Sequence, residues 1–402
     1  MSFDVVVVGA GLSGAVFADR FARVLGKRVL VIDKRDHIAG NCYDYVNADG
    51  HLMNKYGLHI FHCNDDATYN YINQFSEWIR YDHKVVARVV VGGREEFVPV
   101  PVNIETVNKL CGENLQTPTE MDAWLAAHQV VPVGGVANGE EAAKARVGET
   151  LYKALFETYT KKQWGRSAAE LDRSVLERIP VRRDHDVRYF SDKYQVIPAK
   201  GYTAFVAAML DHPLINVRLG VDYFRMDAEL AEATAARQWL IYTGPIDHYF
   251  SSMGYPALEY RSIDFREERL DGVCYYQRNV VVNEPGDDVG YTRTVEYKHL
   301  PYNSSVANVD AGANNVDAGV NSTTIVREYT TDSGEPYYPV PNAQNAALYE
   351  RYKELADKES GVLFVGRLAN YKYKNMNEAI ADALALFNDE VLTPGLGPVR
   401  RL

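Results

Sequence analysis

Gly9, Gly11 and Gly14 stand in the pattern Gly-x-Gly-x-x-Gly, directly after the apolar run Val5–Val8 and ahead of a stretch with helical spacing. Each glycine does what a side chain would prevent. Gly9 permits a tight turn, Gly11 lets backbone approach a pyrophosphate, and Gly14 lets strand and helix pack closely. Leu12 and Ser13 sit between them, where the first amides of a helix can face an anion. Asp33, at the end of a second apolar run, can accept hydrogen bonds from a ribose hydroxyl. Strand, turn, helix and acid in this order predict a dinucleotide site.

Two histidines, His59 and His62, are three residues apart in YGLHIFH and would share one face of a helix. The surrounding pattern does not complete a ligand set, so no metal is expected. Cys42, Cys63, Cys111 and Cys274 show no CxxC spacing, which argues against both a zinc knuckle and a disulfide framework.

These residues need a scaffold. Val5–Val8 suits a buried parallel strand. Leu12, Ala15, Val16, Ala18, Phe21, Ala22 and Leu25 recur at helical spacing until Gly26, and residues 28–32 read as the second strand. VVARVVV and REEFVPV flank Gly92-Gly93, predicting a hairpin over 85–100. Residues 104–173 read as helical, interrupted by a loop at VPVGGVANGEE. Residues 180–330 read mostly as strand, with one helix over Thr203–Leu210. Within them, 302–324 reads as a long surface loop that repeats NVDAG and carries sequons at Asn303 and Asn321. Val362–Val365 and the amphipathic NEAIADALALFNDEV return to a strand-then-helix pattern, which predicts that the chain comes back to complete its first domain.

The 402 residues carry a net charge of −11, a poor balance for wrapping nucleic acid or an anionic membrane. An anionic substrate therefore needs a local cluster of Arg or Lys. No run of about 18 apolar residues occurs, so no membrane span is expected. The opening MSFDVVVVGAG enters a strand at once, so no signal peptide is expected either, and the cytoplasm is the simplest compartment.

After the second strand, DKRDHIAGNC, with Lys34, Gly40 and Asn41, stays polar and irregular, as in the flavin-binding segment of amine-oxidase and glutathione-reductase types. With no second Gly-x-Gly-x-x-Gly, this favours FAD over NAD(P)H. The chain as a whole resembles the UDP-galactopyranose mutase family. VVVGAGLSGAVFA, DKRDHIAGNCYD, NKYGLHIFH, YTKKQWG, VRYFSDKYQVIPAKGYT, YTGPID, YTRTVEYKH, EPYYPV and VLFVGRLANYKYKNMNEAIADAL occur in family order and span nearly the whole chain. The fold that this implies is α/β: a Rossmann-like FAD-binding domain (1–84, 200–245 and 335–402), a small helical domain (104–172) and an antiparallel sheet domain (85–103, 173–199 and 246–334).

The resemblance implies an isomerase that interconverts UDP-galactopyranose and UDP-galactofuranose, or a closely related nucleotide sugar, through a covalent adduct between N5 of reduced FAD and the sugar. Arg188 and Arg293 match the arginines that hold the diphosphate, and Arg suits this because its planar fork bonds phosphate oxygens in pairs. His59 matches a position beside the flavin. Gly366, Arg367 and Met376 match the segment over the flavin ribityl chain and pyrophosphate. Tyr159 matches the residue that stacks on uracil, with Thr160 and Trp164 in the same motif. Tyr329, Tyr338 and Tyr373 match tyrosines near the phosphates and sugar, and Tyr202 is a further candidate. A homodimer is the expected assembly.

The chain departs from the family pattern at Asn54 (commonly His), Ala39 (the first Gly of a pair), Leu155 (commonly Phe) and Asn375 (commonly Asp). Several of these face the substrate, which leaves the sugar and base open among UDP-galactose, UDP-N-acetylgalactosamine, UDP-arabinose and dTDP-fucose. Two other readings remain open at this point: an FAD-dependent oxidase or dehydrogenase of the amine-oxidase type, and a non-catalytic nucleotide-sugar-binding relative.

Overall fold

A computed structural model describes residues 2–177, 180–303 and 322–393. Val5–Val8 is the central strand of a five-stranded parallel sheet, ordered Ile215–Leu219, Val29–Asp33, Val5–Val8, Trp239–Tyr242, Val362–Phe364. Alternate residues feed two cores. Val5, Val7, Val29 and Val31 pack under one layer, and Val6, Leu30 and Ile32 under the other. That two-sided burial is why the strands read as unbroken apolar runs. The helix Leu12–Leu25 ends where Gly26 turns left-handed (φ 61°) and its N–H meets the carbonyl of Ala22.

A seven-stranded sheet stands beside it, ordered Tyr338–Pro339, Tyr260–Asp271, Ser322–Thr331, Arg293–Glu296, Val281–Asn283, Val85–Val91, Arg94–Val100. The hairpin turns at Gly92 and Gly93, both at positive φ. The sheet is antiparallel except where Val281–Asn283 runs parallel to Val85–Ala87. Tyr194–Pro198, expected with this sheet, pairs instead between Phe61–Cys63 and Trp78–Arg80.

The helical unit comprises Ile104–Cys111, Pro118–His128, Gly139–Leu151, a π-helical turn Tyr152–Glu157, Thr158–Trp164 and Ser174–Glu177. The end of the glycine-rich stretch is helical rather than loop. Asn138 caps the helix from Gly139 by accepting from the Glu141 N–H at 3.0 Å, and the Glu141 carboxylate accepts from the Ala137 N–H. Residues 180–330 also hold more helix than the pattern predicted. Besides Gly201–Leu210, Ala228–Thr234 and Ile246–Tyr249 are helical, because the chain re-enters the parallel sheet here. Of the predicted 302–324 loop, Tyr302 and Asn303 lie in a turn, and Ser322–Thr324 begin a strand. The rest of that loop, including Asn321, lies outside the described residues.

Asp44 ties the short strand Asp44–Val46 to the helix Gly201–Leu210. It is buried, and its carboxylate accepts from the N–H groups of Tyr202 (2.5 Å) and Thr203 (3.0 Å) at the start of Gly201–Leu210. Asp44→Ala would strand both donors away from water, so it is expected to cost about 2–3 kcal/mol of unfolding free energy. Urea titration checks this, and a loss below about 0.5 kcal/mol would contradict it.

Candidate active site

Two cavities meet in the cleft between the sheets. The first, about 380 Å³, is lined by Gly9, Gly11, Leu12, Ser13, Gly14, Asp33, Lys34, Gly40, Asn41, His59, Gly366, Arg367 and Met376, so the fold gathers every residue expected to hold a dinucleotide. Its floor is bare backbone. A Cβ on Gly40 would meet Gly11 Cα at 3.0 Å, and one on Gly9 would meet Thr243 Oγ1 at 2.0 Å. Among the described residues no side chain caps the helix that starts after Gly11, and its first turn has no acidic residue, so its leading amides remain available to an anion. Asp33 accepts from the N–H groups of Ala10 (2.8 Å) and Arg35 (2.9 Å), which holds the glycine turn while leaving carboxylate lone pairs at the cleft wall. The cradle fits a dinucleotide pyrophosphate.

The second cavity, about 530 Å³, takes one wall from the helical unit and one from the seven-stranded sheet. Leu155, Phe156, Tyr159, Thr160 and Trp164 supply the first. The π-helical turn sets their phase, and Gly148 (φ 79°) breaks the preceding helix where a side chain would strike the His128 carbonyl at 2.5 Å. The second wall comes from a row across the sheet. Ala87 pairs with Asn283, Asn283 with Arg293, and Arg293 with Glu328, so these residues share one face. Arg293 Nε donates to Glu328 Oε2 at 2.7 Å, and the 2% exposed Glu328 makes this a fixed cation. Tyr338 and Tyr373 close the end, their rings stacked 5.5 Å apart, with Trp164 6.1 Å from Tyr338.

His59, Arg367, Asn375 and Met376 line both cavities. The Arg367 guanidinium lies 5.1–5.6 Å from the rings of Tyr337, Tyr338 and Tyr373, and donates to the Lys374 carbonyl. His59 Nδ1 is 2.7 Å from the Gly57 carbonyl, which can only accept; Nδ1 therefore carries the proton and Nε2 the lone pair. Burial, reinforced by Arg367, pushes the His59 pKa down to about 4.

A profile of the UDP-galactopyranose mutase family matches residues 154–373, and a profile of an NAD(P)-binding Rossmann-like domain matches residues 7–75. A protein of Klebsiella pneumoniae described as a probable UDP-galactopyranose mutase is 35% identical over 95% of this chain and 93% of its own length. A dTDP-fucopyranose mutase of Escherichia coli is 32% identical over 94% and 96%. The chain belongs to the UDP-galactopyranose mutase family. A crystal structure of reduced UDP-galactopyranose mutase shares the fold, with a TM-score of 0.73 over 98% of this chain and 94% of that one at 15% identity.

Two residues matched to the UDP-galactopyranose mutase pattern, Arg188 and Tyr329, and the further candidate Tyr202 do not line either cavity. Arg188 makes a forked pair with Asp186 (2.8–3.1 Å), whose carboxyl these bonds hold down at about 2. Tyr329 follows Glu328 on one strand and so faces the other way; its ring packs on Tyr291, 4.0 Å from the Arg266 guanidinium. Tyr202 is buried in the cofactor-side core, edge-on to His59 at 6.4 Å. His62 lies in a strand rather than a helix, stacked on Phe190 and 3.0 Å from Asp192. Residues that pattern reading missed include Glu328, Asn283, Tyr337 and His83. The buried His83 lines the second cavity with its pKa pushed down to about 3 by burial.

The structure gives each departure from the family pattern a place. Ala39 takes the left-handed conformation (φ 70°) that a glycine would hold without strain. Leu155 lies in the cavity wall, and Asn375 caps the helix Met376–Phe387 in a reciprocal box with Glu378. Asn54 is buried, its side-chain oxygen 3.5 Å from the His59 N–H.

His59 gives a test of sign. Its folded pKa lies below the unfolded 6.5, so native protein binds fewer protons and stability falls as pH drops from 6.5 to about 4. His59→Gln is expected to flatten the stability slope in that window relative to wild type, read by urea unfolding at stepped pH. An unchanged slope would contradict the neutral assignment.

Proposed function

We propose that this protein interconverts the pyranose and furanose forms of a UDP-sugar, UDP-galactose foremost, with FAD in its reduced form as cofactor. The observation that carries this is the shared boundary: a dinucleotide cradle and an arginine-bearing cavity meet at His59, Arg367, Asn375 and Met376. When bound and reduced, FAD supplies an electron-rich ring nitrogen able to act as a nucleophile at an anomeric carbon.

The chain's own residues divide the remaining work. The glycine turn, with Leu12 and Ser13, holds the cofactor pyrophosphate, Asp33 and Lys34 lie at its ribose side, and Gly40, Asn41, Gly366, Arg367 and Met376 line the same cleft. Tyr159 stacks on the base, an interaction worth about 1–3 kcal/mol. Arg293 holds the diphosphate and stabilises the charge that gathers there as the sugar–phosphate bond weakens. Glu328 keeps the guanidinium oriented through its 2.7 Å bond. The hydroxyls of Tyr338 and Tyr373 offer hydrogen bonds to phosphate or sugar, while Trp164 excludes water. His59, neutral with Nδ1 protonated, offers Nε2 as an acceptor at the boundary. Arg188 joins the diphosphate on leaving Asp186, which would couple its contact to substrate entry.

The test is to incubate dithionite-reduced protein with UDP-galactofuranose and assay for the pyranose by chromatography, with dTDP-fucofuranose as a parallel substrate. Conversion without net oxidation is expected. Net oxidation of substrate with oxygen uptake would favour an oxidase instead, and no conversion of any candidate sugar would sink the mutase reading. Arg293→Ala is expected to lower kcat about 10²–10³-fold with FAD still bound. Unchanged turnover would remove Arg293 from its role.

A further inference from the structure

Lys162 lies in the helix Thr158–Trp164, whose Tyr159, Thr160, Gln163 and Trp164 line the substrate cavity. Its own side chain passes behind that wall into the turn 284–291. There the ammonium donates to four backbone carbonyls: Glu284 at 2.5 Å, Gly286 at 2.7 Å, Val289 at 3.2 Å and Tyr291 at 2.9 Å. Three N–H bonds serve four oxygens, so at least one is shared. Four carbonyl dipoles pointing into one space repel each other unless a cation stands between them, the arrangement by which backbone rings hold ions. Burial lowers the Lys162 pKa, and the nearby carboxylates of Glu284 and Asp288 work against that.

A second cation holds the same turn from the hairpin. Arg88 donates to Glu284 Oε2 at 2.7 Å and to Asp288 Oδ2 at 2.5 Å, which uses those carboxylates and leaves the carbonyls to Lys162. Thr330 Oγ1 donates to the Lys162 carbonyl, fixing the helix to the sheet at the same point. Asn283, the strand residue just before the turn, and Pro285 within it are both in the cavity wall, and Asn283 is the strand partner of Arg293. Lys162 is thus the covalent neighbour of one wall and the electrostatic centre of the other.

We propose that Lys162 is a positioning residue for the nucleotide: by centring the carbonyls of 284–291 on its ammonium, it sets the gap between the Tyr159–Trp164 wall and the Asn283–Arg293 wall. The proposal rests on the cavity binding a nucleoside diphosphate, as argued above. A planar guanidinium spreads its donors and cannot gather four oxygens to a point, so Arg does not substitute.

The experiment is calorimetric binding of UDP to the FAD-loaded protein. Lys162→Met and Lys162→Arg are expected to keep their FAD and to bind UDP about 10- to 100-fold more weakly than wild type. In Lys162→Ala, methylammonium, which can donate to the vacated carbonyls, should restore affinity, whereas tetramethylammonium, with no N–H, should not. Wild-type affinity in the Met or Arg variant overturns the proposal, as do equal effects of the two ammonium salts. If Lys162→Met does not fold, Lys162→Arg decides: its UDP affinity must fall while amide exchange in 285–291 quickens. A wild-type protein that binds no UDP overturns the reading of the cavity and this proposal with it. UDP binding that survives every Lys162 change overturns the proposal alone.

Discussion

Bare backbone meets bare backbone at the glycine turn, and the rest of the cleft is arranged around that approach. A Cβ on Gly14 would lie 2.0 Å from the Gly9 carbonyl, and one on Gly9 would lie 2.0 Å from Thr243 Oγ1. Thr243 Oγ1 in turn donates to the Val8 carbonyl at 2.8 Å, and the Gly9 N–H meets the Ile32 carbonyl at 2.8 Å. Strand ends far apart in sequence are thereby brought within one van der Waals layer. The open side of the turn faces the cavity, where the glycines carry no side chain to cover the amides. An anion-binding surface follows from the packing itself.

Charge is handled by concentration rather than by excess. The chain is acidic overall, yet Arg293 and Arg367 both reach the substrate cavity. Each is held differently. Arg293 is fixed by the buried carboxylate of Glu328, whereas Arg367 sits among three tyrosine rings and a backbone carbonyl. One is held by an ion pair and the other by polarizable surfaces, so the second keeps more of its field for what enters the cleft. His59 between the cavities stays neutral because burial deprives its charged form of water, and Arg367 beside it adds repulsion.

How much of this was legible in the sequence depends on range. The Leu12–Leu25 helix and its Gly26 stop are local, as is the Gly92-Gly93 hairpin, and both stand where their periodicity put them. The residues that motif resemblance named for the cofactor line one cavity, because most lie on backbone turns with distinctive spacing. The row Ala87–Asn283–Arg293–Glu328 was invisible, since it needs strand register, which no local pattern encodes. Tyr329 shows the same limit: one step along a strand turned it from the cavity. The Gly139 helix start was hidden by glycine content that the Asn138 cap overrode. Asp186 beside Arg188 was in plain view, but only the folded loop shows that it claims the guanidinium.

The strand order of the parallel sheet has a consequence for biogenesis. Val5–Val8 is made long before the edge strand Val362–Phe364, which leads into Gly366 and Arg367. The cleft therefore has no complete wall until Gly366 and Arg367 have been made. Contacts this distant in sequence form slowly, because a long loop must close before they are rewarded. Flavin loading thus waits until Gly366 and Arg367 have joined the glycine turn.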